Sequence, residues 1–150
     1  MSDELKSSHA GRSRVVALAG ANGGCGQHVA EALLQGGFKL VLLLRKARTR
    51  QFACAVLYSQ ATQDNADLFA ALRPFLPSGT ATSDLVAETV DFSSHSQLAS
   101  VLKQHDVDTV ISALVLFGDE WHVEETLLRA SITANVRRFS PSSWAGPVEK

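Results

Sequence analysis

The chain has 150 residues, 45% of them hydrophobic and 19% charged, with 14 Lys+Arg against 15 Asp+Glu and a formal net charge of −1. That is about one domain's worth of sequence, enough for a single packed core and too apolar for an acidic, disordered activator. The balanced charge supplies no basic field to hold a nucleic-acid backbone, which argues against a general DNA or RNA binder.

Cys25 and Cys54 are too few for a disulfide framework and fit a reducing compartment. Residues 1–13 carry Ser, Gly and mixed charge without a period. They read as a floppy tail and lack the apolar stretch of a signal peptide. No unbroken apolar run approaches the ~20 residues of a membrane span. The expected location is therefore cytoplasmic, with the nucleus as the alternative, and no membrane partner is expected.

Residues 15–19 (VVALA) form a continuous apolar run, the mark of a parallel strand covered on both faces. A glycine-rich turn follows, and then Val29, Ala30, Leu33 and Leu34 recur at one-face helical spacing until Gly36 and Gly37 stop the helix. Residues 40–44 form a second buried strand ending on Arg45. Strand, helix and strand in about 30 residues make a right-handed βαβ unit.

Residues 46–84 read as an insertion, longer than the usual link of a few residues. Lys46, Arg48 and Arg50 make a basic patch, and 52–58 fits strand or helix equally. Leu68, Ala71, Leu72 and Phe75 suggest a short helix closed by Pro74 and Pro77. A third strand is predicted over 85–92. Ser93 or Ser94 would cap the next helix, whose Leu98, Val101 and Leu102 face inward. A fourth strand running into a loop is predicted over 107–116, then a helix with Val123, Leu127, Ala130 and Ala134 in one stripe, then a short fifth strand over 136–140. The alternation predicts an α/β domain over 14–146. It would be a doubly wound parallel sheet of Rossmann type, with strand order 3-2-1-4-5 and a short tail at 147–150. A fifth strand at the edge would offer its unpaired side to another chain, so a homo-oligomer or a protein partner could pair there.

Gly20, Gly23 and Gly26 are spaced G-x-x-G-x-x-G directly after a strand and at the opening of a helix. Gly20 would permit the tight turn, Gly23 would let backbone approach a pyrophosphate, and Gly26 would let helix pack on strand. The helix N-terminus offers unpaired N–H groups to an anion, and Asn22 would brace the turn. A phosphate-binding lysine is missing, since Gly26 is followed by Gln27 and His28, which disfavours an NTPase. Arg45 stands where this fold meets the adenosine ribose. A guanidinium there suits a 2′-phosphate, favouring NADP(H) over NAD(H), and Lys46 and Arg48 add to the positive site. Cys25 reads as a small residue tolerated in the loop. His95, His105 and His122 share no metal-ligand spacing, so no metal is expected. Asp91 is expected to cap the next helix rather than approach the adenine, and Trp121 and Trp144 to pack rather than contact substrate. Arg137 and Arg138 would form a solvated edge.

The segments VALAGANGGCG (16–26), Arg45, VDTVISA (107–113) and NVRRFSPSSW (135–144) together resemble the NmrA-like and isoflavone reductase-like family of atypical short-chain dehydrogenase/reductases. The last segment is the most specific, because generic Rossmann domains do not share it. The resemblance implies NADP(H) as cofactor. It would place Gly20, Asn22, Gly23, Gly24, Cys25 and Gly26 along the pyrophosphate and Arg45 at the 2′-phosphate. Ser112, Ala113 and Leu114 would border the adenine side, and Ser140, Pro141, Ser142 and Ser143 the nicotinamide end. Family members run to about twice this length and carry their substrate part and catalytic lysine beyond the last segment. The chain is therefore expected to hold the cofactor part without the substrate part. The Tyr-x-x-x-Lys dyad is missing, since the only tyrosine is Tyr58 and position 62 is Thr62. Three functional readings follow: the NADP(H)-binding domain of an oxidoreductase, a non-catalytic NADP(H) sensor read by a protein partner, or an inactive remnant.

Overall fold

The computed structural model describes residues 15–45, 65–75, 84–116 and 120–142. The expectations for the tail at 1–13, for Lys46, Arg48 and Arg50, for 52–58 and for Trp144 fall outside those residues.

Five strands, β1 (Val15–Ala19), β2 (Lys39–Arg45), β3 (Leu85–Val90), β4 (Thr109–Ser112) and β5 (Arg138–Ser140), form one sheet in the order β3-β2-β1-β4-β5. Every pairing is parallel. The helices are α1 (Gly24–Gln35), α2 (Asn65–Leu72), α3 (His95–Gln104) and α4 (Trp121–Thr133). A 3₁₀ turn over Arg73–Phe75 extends α2. The strand order read from the sequence is the one observed.

The period of two along each strand divides the apolar residues between the two faces. Val15, Ala17, Ala19, Val41 and Leu43 pack with α3 and α4, through Leu98, Leu102, Val123 and Leu127. Val16, Leu18, Leu40, Leu42 and Leu44 pack with α1 and α2, through Ala30, Leu34, Leu68 and Leu72. Both faces of β1 and β2 are therefore dry, which is why their sequences run apolar without alternation.

Three helices end the same way. Gly37, Asp106 and Asn135 take positive φ (73°, 50° and 57°) just past α1, α3 and α4. The next residue donates its N–H back five positions: Phe38 to Leu33 O, Val107 to Leu102 O and Val136 to Ser131 O, at 3.0–3.1 Å. These Schellman closures turn the chain directly into the following strand. At the other end of α3, Ser94 Oγ accepts from Gln97 N at 3.4 Å, so the cap is Ser94 and not Asp91. Asp91 Oδ1 instead accepts from Ser93 N at 2.9 Å and Ser93 Oγ at 2.6 Å, shaping the turn that precedes the cap.

Arg137 and Arg138 are exposed, as expected of an edge, yet both are paired. Asp108 receives Arg137 through both carboxylate oxygens, at 3.0 and 3.2 Å, and Arg138 at 3.4 Å. Burial pushes the Asp108 carboxyl up. The Thr109 hydroxyl, the Arg137 guanidinium and the Arg138 charge outweigh it and hold the carboxyl below its ordinary range. A depressed carboxyl contributes stability above its unfolded-state pKa, near 4, and loses it as pH falls through the lower folded value. Asp108→Asn should therefore flatten the acid side of the stability profile below about pH 4, as measured by urea melts across pH 2.5–6. An unchanged acid limb would remove Asp108 from that role.

Candidate functional site

The C-terminal ends of β1, β2 and β4 meet at the point where strand order reverses, the crest at which open α/β sheets hold their ligands. Gly20 leaves β1 with φ +84°. A Cβ on it would lie 2.6 Å from Ala113 O and 2.9 Å from Leu114 N, so the loop after β4 rests directly on this glycine. A Cβ on Gly26 would lie 2.0 Å from Gly20 O, which requires glycine for α1 to close on β1. Both assignments read from the spacing hold in their packing sense.

Gly23 and Gly24 behave differently. Gly23 has ordinary extended backbone (φ −84°, ψ 158°), and a Cβ there would meet only Gly20 O, at 3.4 Å. A Cβ on Gly24 would meet nothing within 4 Å. The protein's own packing therefore asks for glycine at 20 and 26 but not at 23 or 24. No side chain caps α1, and its first turn holds no acidic residue. The result is an open, positively polarised helix end with two bare backbone positions in front of it, a cradle that fits a diphosphate. Cys25 is exposed in the same turn. Asn22 does not brace the turn as expected through its carbonyl: Oδ1 is buried and accepts no hydrogen bond. A diphosphate has no proton to give that oxygen, whereas a ribose hydroxyl does.

Arg45 ends β2 with its side chain 48% exposed. Its guanidinium carbon lies 6.0 Å from the centroid of the Phe92 ring, just after β3, and Nη1 lies 3.9 Å from Glu120 Oε1. The aromatic face holds the cation above the sheet edge.

The serines named from the resemblance are engaged within the protein. Ser112 Oγ is fully buried and donates to Glu124 Oε2 at 2.7 Å. Ser142 N donates to Glu124 Oε1 at 2.7 Å, and Ser142 Oγ donates to Leu114 O. Glu124, in the first turn of α4, thus ties the end of β4 to the chain leaving β5. Gly20, Ala113, Leu114 and Ser142 form one contiguous patch, with Ser112 behind it and Pro141 exposed beside it. Ser140 pairs with Ile111 in the sheet, and Ser143 lies outside the described residues. The sequence alone does not single out Glu120 or Glu124. An acidic residue in the first turn of a helix following a strand is the signal that points to Glu124. Trp121 is a correction: it is 67% exposed at the start of α4 and does not pack. Among the described residues no group of three or more His, Cys, Asp or Glu is placed to hold a metal ion, and no helix is long and apolar enough to cross a membrane.

A doubly wound parallel sheet with a glycine loop at its switch point defines a Rossmann-type nucleotide-binding domain. The NmrA-like family model matches residues 12–150, and the chain belongs to that family. No curated protein matches. Solved structures that the chain is similar to include AtPrR2 with NADP+ and (+)pinoresinol, at 25% identity and TM-score 0.61, covering 88% of this chain and 37% of that one. A leucoanthocyanidin reductase–NADPH binary complex from Vitis vinifera matches at 25% identity and TM-score 0.63, covering 90% and 40%. An isoflavone reductase at 20% identity and TM-score 0.62, covering 87% and 36%, shares the fold. The chain thus spans about two fifths of the length of these proteins.

Proposed function

We propose that this chain is an NADP(H)-binding domain of a reductase. The open N-terminus of α1 would hold the pyrophosphate, and Arg45 the 2′-phosphate of the adenosine ribose. The observation that carries the reading is the division among the loop glycines: 20 and 26 serve internal packing, while 23 and 24 leave bare backbone before an uncapped helix. The NADP+ and NADPH bound to the two 25%-identical proteins support the choice of cofactor. When bound, the dinucleotide would supply or accept a hydride. This chain's own residues would bind and orient it. The Gly24, Cys25 and Gly26 amides would face the diphosphate, Arg45 would select the phosphorylated ribose, and the Ala113–Leu114 backbone would border the seat. Ser142, tied to Leu114 O and Glu124, would place the chain after β5 at the far end.

Titration with NADPH and NADH tests this reading. Arg45→Ala should weaken NADPH by about tenfold or more, the order of a lost charge-assisted hydrogen bond, and leave NADH nearly unchanged. Equal losses for both dinucleotides would remove the 2′-phosphate contact. Failure of the unsubstituted chain to bind either would remove the seat itself.

A further inference from the structure

β2 and β4 flank β1 on opposite sides. Arg45 is the last residue of β2, while Glu120 immediately precedes α4, which follows β4. Their contact, Arg45 Nη1 to Glu120 Oε1 at 3.9 Å, therefore joins elements that follow the strands on either side of β1. The Arg45 guanidinium is at the same time positioned by the buried Phe92 ring beneath it. It thus has an aromatic floor and a carboxylate at its side, and it remains about half exposed.

We propose that Glu120 is a specificity-determining residue: its carboxylate competes with a ribose 2′-phosphate for Arg45 and so lowers the preference of the seat for NADPH over NADH. The inference rests on the assignment of the 2′-phosphate to Arg45 made above. A phosphate carrying close to two negative charges must share or displace Glu120 on the guanidinium, and it meets the repulsion of the same carboxylate. NADH brings a neutral hydroxyl to that corner and meets neither penalty. The contact is long and both side chains are partly solvated, 48% and 25% exposed, so the competition is modest and screened by salt.

Glu120→Gln keeps the size of the side chain and removes its charge. It should lower the Kd for NADPH about two- to fivefold at low ionic strength, the range of exposed ion pairs, and leave NADH unchanged. The gain should shrink in 0.5 M salt, because both side chains are partly solvated and screening strengthens as the Debye length shortens. In an Arg45→Ala background, Glu120→Gln should produce a smaller gain, because the shared cation is gone. Isothermal titration of the four proteins with both dinucleotides, beside melting curves that confirm each is folded, reads these outcomes. Equal tightening of NADH and NADPH, no tightening of NADPH, or an undiminished gain without Arg45 would each overturn the role of Glu120. In all three cases an intact NADPH preference that vanishes with Arg45→Ala would leave the proposed function standing. An unsubstituted chain that binds neither dinucleotide would end both.

Discussion

Gly26→Ala should cost about 3 kcal/mol or more of folding stability, at the upper end of overpacking substitutions, and lower Tm by about 6–12 °C for a domain of this size. The new methyl would lie 2.0 Å from Gly20 O and 3.0 Å from Ala21 Cα, both parts of rigid backbone. No rotamer change can relieve such a clash, so α1 must lift off β1. That would loosen Ala30 and Leu34, both buried against Leu18 and its neighbours. Gly23→Ala is the matched control. Its backbone is already extended and its nearest neighbour is 3.4 Å away, so stability should stay within about 0.5 kcal/mol of the parent. Dinucleotide binding should nevertheless weaken if the diphosphate sits where proposed, because the methyl would take up room in that cradle. Thermal melts and titrations on both variants separate the two roles. A Gly26→Ala protein that melts with the parent would contradict the packing geometry. A Gly23→Ala protein that binds as tightly as the parent would contradict the cradle.

Much of this architecture is legible in the residues, for identifiable reasons. β1 and β2 stand out because burial on both faces makes five or more consecutive residues apolar. The glycine loop stands out because two of its glycines answer to backbone collisions that no other residue tolerates. The fourth strand runs into a loop as expected, and the fifth is shorter than its predicted span of 136–140. The run at 107–116 is strand over Thr109–Ser112; Ala113 N still donates to Ala19 O at 2.8 Å, and the chain beyond it turns into the loop that rests on Gly20. Val136 is consumed by the closure of α4, which shortens β5 to Arg138–Ser140. Trp121 belongs to an exposed apolar line with Leu128 and Ile132 on α4. Its size suggested packing, but its position on the outer side of the helix decides the matter.

Of the candidate site, the glycine loop and Arg45 are legible in the sequence. Glycine spacing is a local property, and Arg45 is marked by its place at a strand end. Glu120 takes its meaning from Arg45, far back in the chain on β2, and Glu124 from Ser112 at the end of β4 and Ser142 just past β5; none of these partners is adjacent to its glutamate in the chain. The serines at 112 and 142 illustrate the converse. Their types suit ligand contact, but the fold has already committed both hydroxyls.

Glu124 is the residue whose loss should most disturb the far end of the crest. Glu124→Ala should destabilise the protein by about 2–4 kcal/mol, since hydrogen bonds to charged groups contribute about 1.5–3 kcal/mol each and buried donors left unpaired add to the loss. Two donors lose the carboxylate together. Ser112 Oγ is fully buried and turned toward α4, and Ser142 N has the carboxylate as its partner at 2.7 Å. Glu124→Gln should cost much less. Its carbonyl oxygen can keep the Ser142 N–H, while its amide N–H donates to Ser112 Oγ once that hydroxyl rotates to accept. Urea denaturation orders the three proteins, and amide hydrogen exchange at Ser142 gives the local reading. Protection should be lost in the alanine variant and largely kept in the glutamine one. If alanine leaves both the unfolding free energy and the Ser142 amide unchanged, the carboxylate does not hold the chain leaving β5. The placement of that segment beside Leu114 would then have to come from Ser142 Oγ alone.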